Sequence, residues 1–330
     1  MQESEIRSDE MIAETLRLHK KDVENILLKK ESFVHVSCPA CSSKDKVFFC
    51  RKDGFTLEQC TKCETVYVSP RPTKEMLFTY YSTSLKISFW VKEVYPKTKE
   101  ARVNHLVLPR VKKILEECDK HKIPMNSIMD VGAGFVSFCK QIEQTKRFKK
   151  IIAVDPSFDK NVCVEGVEVV SDFIENLSKR KVNVISSFEV IEHLFNPVEY
   201  FNAIFQMLSN VGLLYFTTPN IKGFDISVLK DKSNSIMPPG HLNYFHPKSI
   251  VILLEKCGFE VLDIQTPGKL DVELVKKKVL AGEVSLDTDL FLKRILMDGC
   301  PAYANSFQQW LIDNKLSSSM TVVAKKRIKL

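Results

Sequence analysis

The chain has 330 residues, 44% of them hydrophobic and 27% charged, with a formal net charge of +7. This is the composition of an ordinary globular protein, long enough for one α/β domain and one or two smaller modules. No apolar run approaches the roughly 20 residues that span a bilayer, and the charged N-terminal stretch lacks the apolar core of an export signal, so a cytoplasmic protein without membrane attachment is expected. The lysines are spread along the chain rather than gathered with aromatics into a stripe, which argues against nucleic acid as a partner. The basic run Lys325-Lys326-Arg327-Ile328-Lys329 reads as a solvated end.

Residues 10–29 place Met11, Ile12, Leu16, Leu18, Val23, Ile26 and Leu27 at helical spacing, which predicts a peripheral amphipathic helix within an N-terminal segment, 1–33. From Val34 to Pro72 the pattern changes to a small cysteine-bearing module with strand-like runs at 47–49 and 65–68. Pro70-Arg71-Pro72 ends the module and opens a helix near Thr73. The stretch 73–125 is then helical linker or lid, with an amphipathic helix from about Lys97 to His121.

Five of the ten cysteines, Cys38, Cys41, Cys50, Cys60 and Cys63, fall in the module. Cys38-Pro-Ala-Cys41 and Cys60-Thr-Lys-Cys63 are two Cys-x-x-Cys pairs separated by 18 residues. Each pair can present two thiolates from one tight knuckle, and two knuckles complete a tetrahedral site, so Cys38, Cys41, Cys60 and Cys63 are expected to bind a structural zinc ion. Cys50 is surplus to that set. The scattered cysteines read as small core residues.

From residue 126 onward apolar runs alternate with helical segments, the signature of a doubly wound α/β sheet. Strands are expected at Ser127–Val131, Ile151–Asp155, Val167–Val170, Val182–Ser187, Gly212–Thr217, Phe259–Gln265 and Met320–Lys325. Helices fit at Val136–Thr145, Pro197–Leu208 and Pro247–Cys257. Residues 271–316, between the last two strands, read as an inserted helical cap on a domain covering 126–330.

The first of these strands runs into Asp130-Val131-Gly132-Ala133-Gly134 and then a helix. Glycines at that turn allow a ligand to approach the backbone at the carboxyl end of the strand. The next strand ends in Asp155, 21 residues past Gly134, a carboxylate placed to accept from ribose hydroxyls. Phe135-Val136-Ser137 stands where a dinucleotide fingerprint would carry its third glycine, which shifts the expected cofactor from NAD to one without phosphates.

These residues resemble the class I S-adenosylmethionine-dependent methyltransferases. Asp130–Gly134 is similar to their first motif, Asp155 to their ribose-binding acid, and Ser171-Asp172-Phe173 to their adenine contact. Ser187-Phe-Glu-Val-Ile-Glu-His-Leu194 resembles the stretch that follows their fourth strand. The resemblance implies a Rossmann-like seven-stranded sheet whose final strand is antiparallel, and a cofactor site at Asp130, Gly132, Gly134, Asp155, Asp172 and Phe173. The cysteine module, the Pro-Arg-Pro turn and Gly240-His241-Leu242-Asn243-Tyr244-Phe245 resemble bacterial sugar and surface-polysaccharide methyltransferases. In the sugar C-methyltransferases a tyrosine and a glutamate precede the histidine, whereas this chain has Pro238, Pro239 and Gly240.

Three readings of the polar residues after the fourth strand stand side by side. Glu189 and His193 position the acceptor, with His193 or His241 as general base. Alternatively Glu189, Glu192, His193 and His241 hold one divalent ion such as magnesium, which would lower the pKa of a sugar hydroxyl. In the third, they only cap a turn. Tyr80, Trp90, Tyr95 and Arg102 either line a lid, with Arg102 pairing the methionine carboxylate, or belong to core packing. The expected acceptor is a sugar, nucleotide sugar or related hydroxylated metabolite. RNA methylation and a non-catalytic cofactor-binding protein are the alternatives.

Overall fold

The structure, a computed structural model, describes residues 3–159, 161–177, 180–298 and 300–327. The end of the basic run, Ile328 and Lys329, lies outside the described residues. Among the described residues no helix is long and apolar enough to cross a membrane.

The strands, in chain order, are β1 (Lys46–Lys52), β2 (Phe55–Cys60), β3 (Val66–Val68), β4 (Ser127–Val131), β5 (Lys150–Val154), β6 (Glu168–Val170), β7 (Val182–Phe188), β8 (Leu208–Pro219), β9 (Asn243–Tyr244), β10 (Phe259–Gln265) and β11 (Ser319–Lys326). They form one four-stranded and one seven-stranded sheet. The chain divides into two compact units, neither of them a single continuous segment. The first comprises Met1–Lys99, Pro219–Ser249 and Gln265–Met320; the second comprises Glu100–Thr218, Ile250–Ile264 and Thr321–Leu330.

The second unit carries the seven-stranded sheet, in the order β10-β11-β8-β7-β4-β5-β6. This is the Rossmann-like seven-stranded sheet that the resemblance implied, on the doubly wound pattern of the alternating apolar runs. β4 pairs in parallel with β5 and β7, and β7 with β8. All five residues of β4 are buried, as a central strand covered on both faces requires. The packing around it uses Ile114 and Cys118 from the helix Leu108–Lys120, Cys139 and Ile142 from Ser137–Gln144, and Ile128, Ala153 and Val184 from the sheet. The helix Pro197–Met207 starts on an Asn196 cap, whose Oδ1 accepts from the Val198 N–H at 3.2 Å, with Pro197 in the first turn.

In the first unit, β1, β2 and β3 are successive antiparallel strands. Asp53 and Gly54, both at positive φ (49° and 78°), make the two-residue turn between β1 and β2. The fourth strand is β9, which pairs antiparallel to β3 through Val66–Tyr244 and Tyr67–Asn243. Arg71, only 1% exposed, fastens this junction. Its Nε donates to the Val68 carbonyl at 2.9 Å, and its Nη2 to the Leu242 carbonyl at 3.3 Å and Asn243 Oδ1 at 3.2 Å. The Pro-Arg-Pro turn is therefore a structural clamp as well as a stop signal.

Residues 271–316, expected as a cap on the sheet domain, fall in the first unit and form helices at Asp271–Leu280, Leu290–Lys293 and Pro301–Asp313, packed through Val272, Val275, Leu296 and Leu311 on Leu229. Two buried carboxylates anchor it. Asp271 accepts from Ser317 Oγ at 2.5 Å, the Ser318 N–H at 2.6 Å and Gln308 Nε2 at 2.9 Å, while Asp225 accepts from Ser318 Oγ.

Candidate active site and metal centre

At the carboxyl end of β4 the chain turns through Gly132 and Gly134, both at positive φ (76° and 49°). The N–H of Gly132 donates to the Val154 carbonyl at 2.8 Å, bending the turn across the end of β5. A Cβ on Gly132 would collide with Val190, whereas a Cβ on Gly134 would meet no atom within 4 Å. The first glycine is thus demanded by packing. The second faces open space, as close approach by a ligand requires. Val136 opens the helix Ser137–Gln144 in a left-handed conformation (φ 57°) that glycine adopts more easily, and its side chain is buried in the sheet core. The residue that breaks the glycine pattern is used as an apolar anchor.

Asp155 follows β5 and faces this turn. Its Oδ2 accepts from the Gly134 N–H at 2.9 Å, and its Oδ1 from the Ser157 N–H at 2.9 Å and Ser157 Oγ at 2.6 Å. Two carboxylate oxygens offer about four acceptor positions, so capacity for a ribose hydroxyl remains. Asp130 lies within the sheet, where Ser186 Oγ donates to it at 2.8 Å. Burial pushes the Asp130 carboxyl up to about 7, against the opposing effects of Ser186 and Arg110. Asp172 caps the short turn Ile174–Asn176, accepting from the Phe173 N–H at 2.7 Å and Asn176 Nδ2 at 2.6 Å, and leaves the Phe173 ring 48% exposed. An exposed ring beside an acid suits an adenine, which offers a flat face and an amino group.

Glu189 comes immediately after β7, also at positive φ (54°). This kink carries Val190 over Gly132 and starts the turn Ile191–His193. Thr217 on β8 holds Glu189 twice: its carbonyl accepts the Glu189 N–H at 3.1 Å, and its Oγ1 donates to Glu189 Oε1 at 2.6 Å. Glu192 is 1% exposed and accepts from Thr218 Oγ1 at 3.0 Å. Burial, then the neighbouring Glu189 charge, lifts its carboxyl well above the ordinary range. His193 Nε2 lies 3.8 Å from Glu192 Oε1.

Arg110 was not singled out by the sequence. Its Nη2 approaches Glu189 Oε1 at 3.7 Å, and its guanidinium lies 4.5 Å from the centre of the Phe188 ring. Arg102, expected to meet a carboxylate, ends the helix Tyr95–Arg102 and belongs to the same unit.

His241 belongs to the first unit. Its Nδ1 donates to the Ser235 carbonyl at 2.8 Å, so the neutral ring carries its basic lone pair on Nε2. In the same unit Tyr80 is buried with its ring edge-on to Tyr81 at 5.3 Å, and Trp90 and Tyr95 pack 5.7 Å apart.

The four module cysteines come together as expected. Their sulfurs all lie within 4.8 Å of one another, with Cys38–Cys63 at 3.4 Å and Cys41–Cys60 at 3.5 Å, and none forms a disulfide. A tetrahedral ion with thiolates at ~2.3 Å needs sulfurs about 3.8 Å apart, so the arrangement fits zinc after a small adjustment. The two knuckles repeat one design. Ser42 N–H donates to the Cys38 carbonyl and Glu64 N–H to the Cys60 carbonyl, both at 2.9 Å, with Ser42 and Glu64 at positive φ (62° and 58°). Cys50 stands outside the set, and burial pushes its thiol up to about 11. His246 supports the second knuckle. It is buried and its Nε2 meets the Cys63 carbonyl at 2.9 Å, while Ser249 Oγ accepts its N–H at 3.0 Å.

In comparisons with known proteins, a family described as a methyltransferase domain matches residues 100–264. The chain belongs to this methyltransferase family. It is an S-adenosylmethionine-dependent enzyme, as the glycine turn and Asp155 had implied. The methyltransferase is similar to several solved structures. One is an S-adenosylmethionine-dependent methyltransferase from Clostridium acetobutylicum, 13% identical over 72% of this chain and 97% of that one, with a TM-score of 0.45. A second, from Archaeoglobus fulgidus, is 16% identical over 66% and 94%, with a TM-score of 0.42. The plantazolicin methyltransferase BamL is 13% identical over 76% and 94%, with a TM-score of 0.49. No curated protein matches the methyltransferase.

Proposed function

We propose that this methyltransferase acts on a sugar, nucleotide sugar or related hydroxylated metabolite, and that a zinc ion held by Cys38, Cys41, Cys60 and Cys63 is structural. The observation that supports the acceptor class is the hydrogen-bonding of Arg71 to Leu242 and Asn243. It makes the cysteine module, the Pro-Arg-Pro turn and the His-Leu-Asn-Tyr-Phe segment parts of one unit, and these are the elements whose sequence resembles sugar methyltransferases.

When bound, S-adenosylmethionine supplies a methyl group on a sulfonium centre, open to in-line displacement. The proposed cofactor residues are Asp130, Gly132, Gly134, Asp155, Asp172, Phe173 and Arg102. Asp155 would accept from ribose, Phe173 would stack on the base, and Arg102 would pair the carboxylate. Much of the acceleration of such a displacement comes from alignment, so only a modest base is needed. His241, with its basic Nε2, and His193 are the candidate bases, and Glu189, held by Thr217, is a positioning candidate.

Turnover of a nucleotide-sugar panel, with and without a chelator that spares the cysteine site, tests the proposal. Methylation of at least one member is expected. Chelator resistance would favour a histidine base, and chelator sensitivity would favour the divalent-ion alternative. Failure across the panel with S-adenosylmethionine still bound would overturn the acceptor class.

A further inference from the structure

The first unit contains a lysine whose surroundings ask for an anion. Lys86 lies on the short helix Leu85–Phe89, and its Nζ donates to Met237 Sδ at 3.2 Å. A thioether is a weak acceptor, and an ammonium has three protons to place. The carboxylate acting on Lys86 is that of Asp22, and its oxygens are already engaged. Asp22 accepts from Ser84 Oγ at 2.5 Å, the Leu85 N–H at 2.9 Å and the Lys86 N–H at 3.0 Å. Burial lowers the Lys86 ammonium to about 8, which leaves it mostly charged at neutral pH.

Gly240 borders the same spot. A Cβ on it would stand 3.2 Å from the Met237 carbonyl oxygen, 3.4 Å from Lys86 Nζ and 3.7 Å from Tyr80 Oη. The ammonium and the phenol therefore converge on the bare face of one glycine. Tyr80 Oη is buried, and the polar side chain acting on it is Ser84, whose own hydroxyl proton goes to Asp22. The loop is fixed beside them, because Tyr81 Oη donates to the Gly240 carbonyl at 3.0 Å and the His241 N–H to the Met237 carbonyl at 3.0 Å. An ammonium that donates to a thioether, and a phenol beside it, on a held loop that lacks a side chain, form a site for one compact anionic group. A point-charge ammonium with a hydroxyl suits a tetrahedral phosphate, whereas a bidentate carboxylate is better met by arginine.

We propose that Lys86 Nζ and Tyr80 Oη, beside the bare backbone of Gly240, bind a phosphate group of the acceptor. The assignment rests on the acceptor being a sugar metabolite, and it narrows that class to phosphorylated members, nucleotide sugars among them.

The test uses the full chain without cofactor, so it does not depend on turnover. An amine-reactive reagent is applied at pH 7.5, and modification of Lys86 is followed by peptide mass spectrometry with inorganic phosphate, uridine diphosphate, acetate or no addition. At least five-fold protection by inorganic phosphate or uridine diphosphate, with none by acetate, is expected. Protection by uridine diphosphate alone would assign the site to a nucleotide-borne phosphate. Equal protection by acetate, or no protection by either phosphate compound, would overturn the proposal. Calorimetry on Tyr80→Phe and Lys86→Met, each checked by circular dichroism, should show phosphate affinity reduced at least three-fold and ten-fold respectively. Unchanged affinity in both would equally overturn it. Failure here with a working nucleotide-sugar assay would remove the phosphate site alone. Success here with no methylated product would instead remove the acceptor assignment.

Discussion

A Cβ built on Gly132 would stand 2.4 Å from Cγ2 of Val190, a residue that the left-handed turn at Glu189 swings across the end of β4. Gly132→Ala must displace Val190 and strain a φ of +76°, at a cost of about 2 kcal/mol or more. Gly134→Ala meets no neighbour and should cost only ~1–2 kcal/mol in backbone preference. Its methyl group, however, would enter the space expected to admit the cofactor. Thermal melts with and without S-adenosylmethionine should find Gly132→Ala clearly destabilised. Gly134→Ala should be closer to wild type, with most of its ligand-induced shift lost.

The hold of Thr217 on Glu189 separates chemistry from binding. Thr217→Val deletes the 2.6 Å hydrogen bond while keeping shape and strand propensity. If Glu189 positions the acceptor, kcat should fall about ten-fold, corresponding to ~1.4 kcal/mol, with S-adenosylmethionine affinity unchanged. An unchanged kcat would leave Glu189 as a turn residue only.

The pair Asp225 and Asp271 gives the cap a defined response to pH. Burial, then the Asp271 charge, raises the Asp225 carboxyl from 3.8 to about 7. The folded form therefore binds the proton more tightly than the unfolded chain, and ∂ΔG/∂pH is negative between those values. This contribution to stability is fully present below about 3.8 and is lost as pH rises through about 7. The total is roughly 4 kcal/mol at ~1.4 kcal/mol per unit. Asp225→Asn should gain stability relative to wild type as pH rises from 5 to 8, measured by chemical denaturation at each pH. A constant difference across that range would rule out the proton as the cause.

His246 should matter to zinc without touching it, because its ring fixes the Cys63 carbonyl within the second knuckle. About one zinc per chain is expected by elemental analysis. Removing the metal should lower the melting temperature by several degrees. His246→Ala should weaken zinc retention against a chromophoric chelator by about ten-fold. Cys50→Ser should leave retention unaltered.

Much of the fold was legible because its signals are local. β4 and β10 begin and end where the apolar runs predict, and the other predicted sheet strands shift by at most a few residues. The four cysteines announce their site by spacing alone. Asp53-Gly54 was also a usable signal, since that dipeptide favours a tight hairpin and would have located β2. Arg110 left no such trace. It is one of many basic residues on an amphipathic helix, and only the folded chain brings it from position 110 to Glu189. His246 and β9 were hidden for the same reason, since a two-residue strand has no periodicity to detect.

The pairing of β3 with β9 sets an order of events. Some 175 residues separate Val66 from Tyr244, so a ribosome must synthesise most of the chain before the cysteine sheet can receive its last strand. Both knuckles are synthesised early, but the sheet stays one strand short, and Arg71 lacks two of its acceptors, until Leu242 and Asn243 emerge. The cysteine module is therefore unsuited to transfer as a cassette. A graft of residues 34–72 into another protein would carry an open edge at β3 and an Arg71 short of two of its acceptors, unless the 241–246 segment travelled with it.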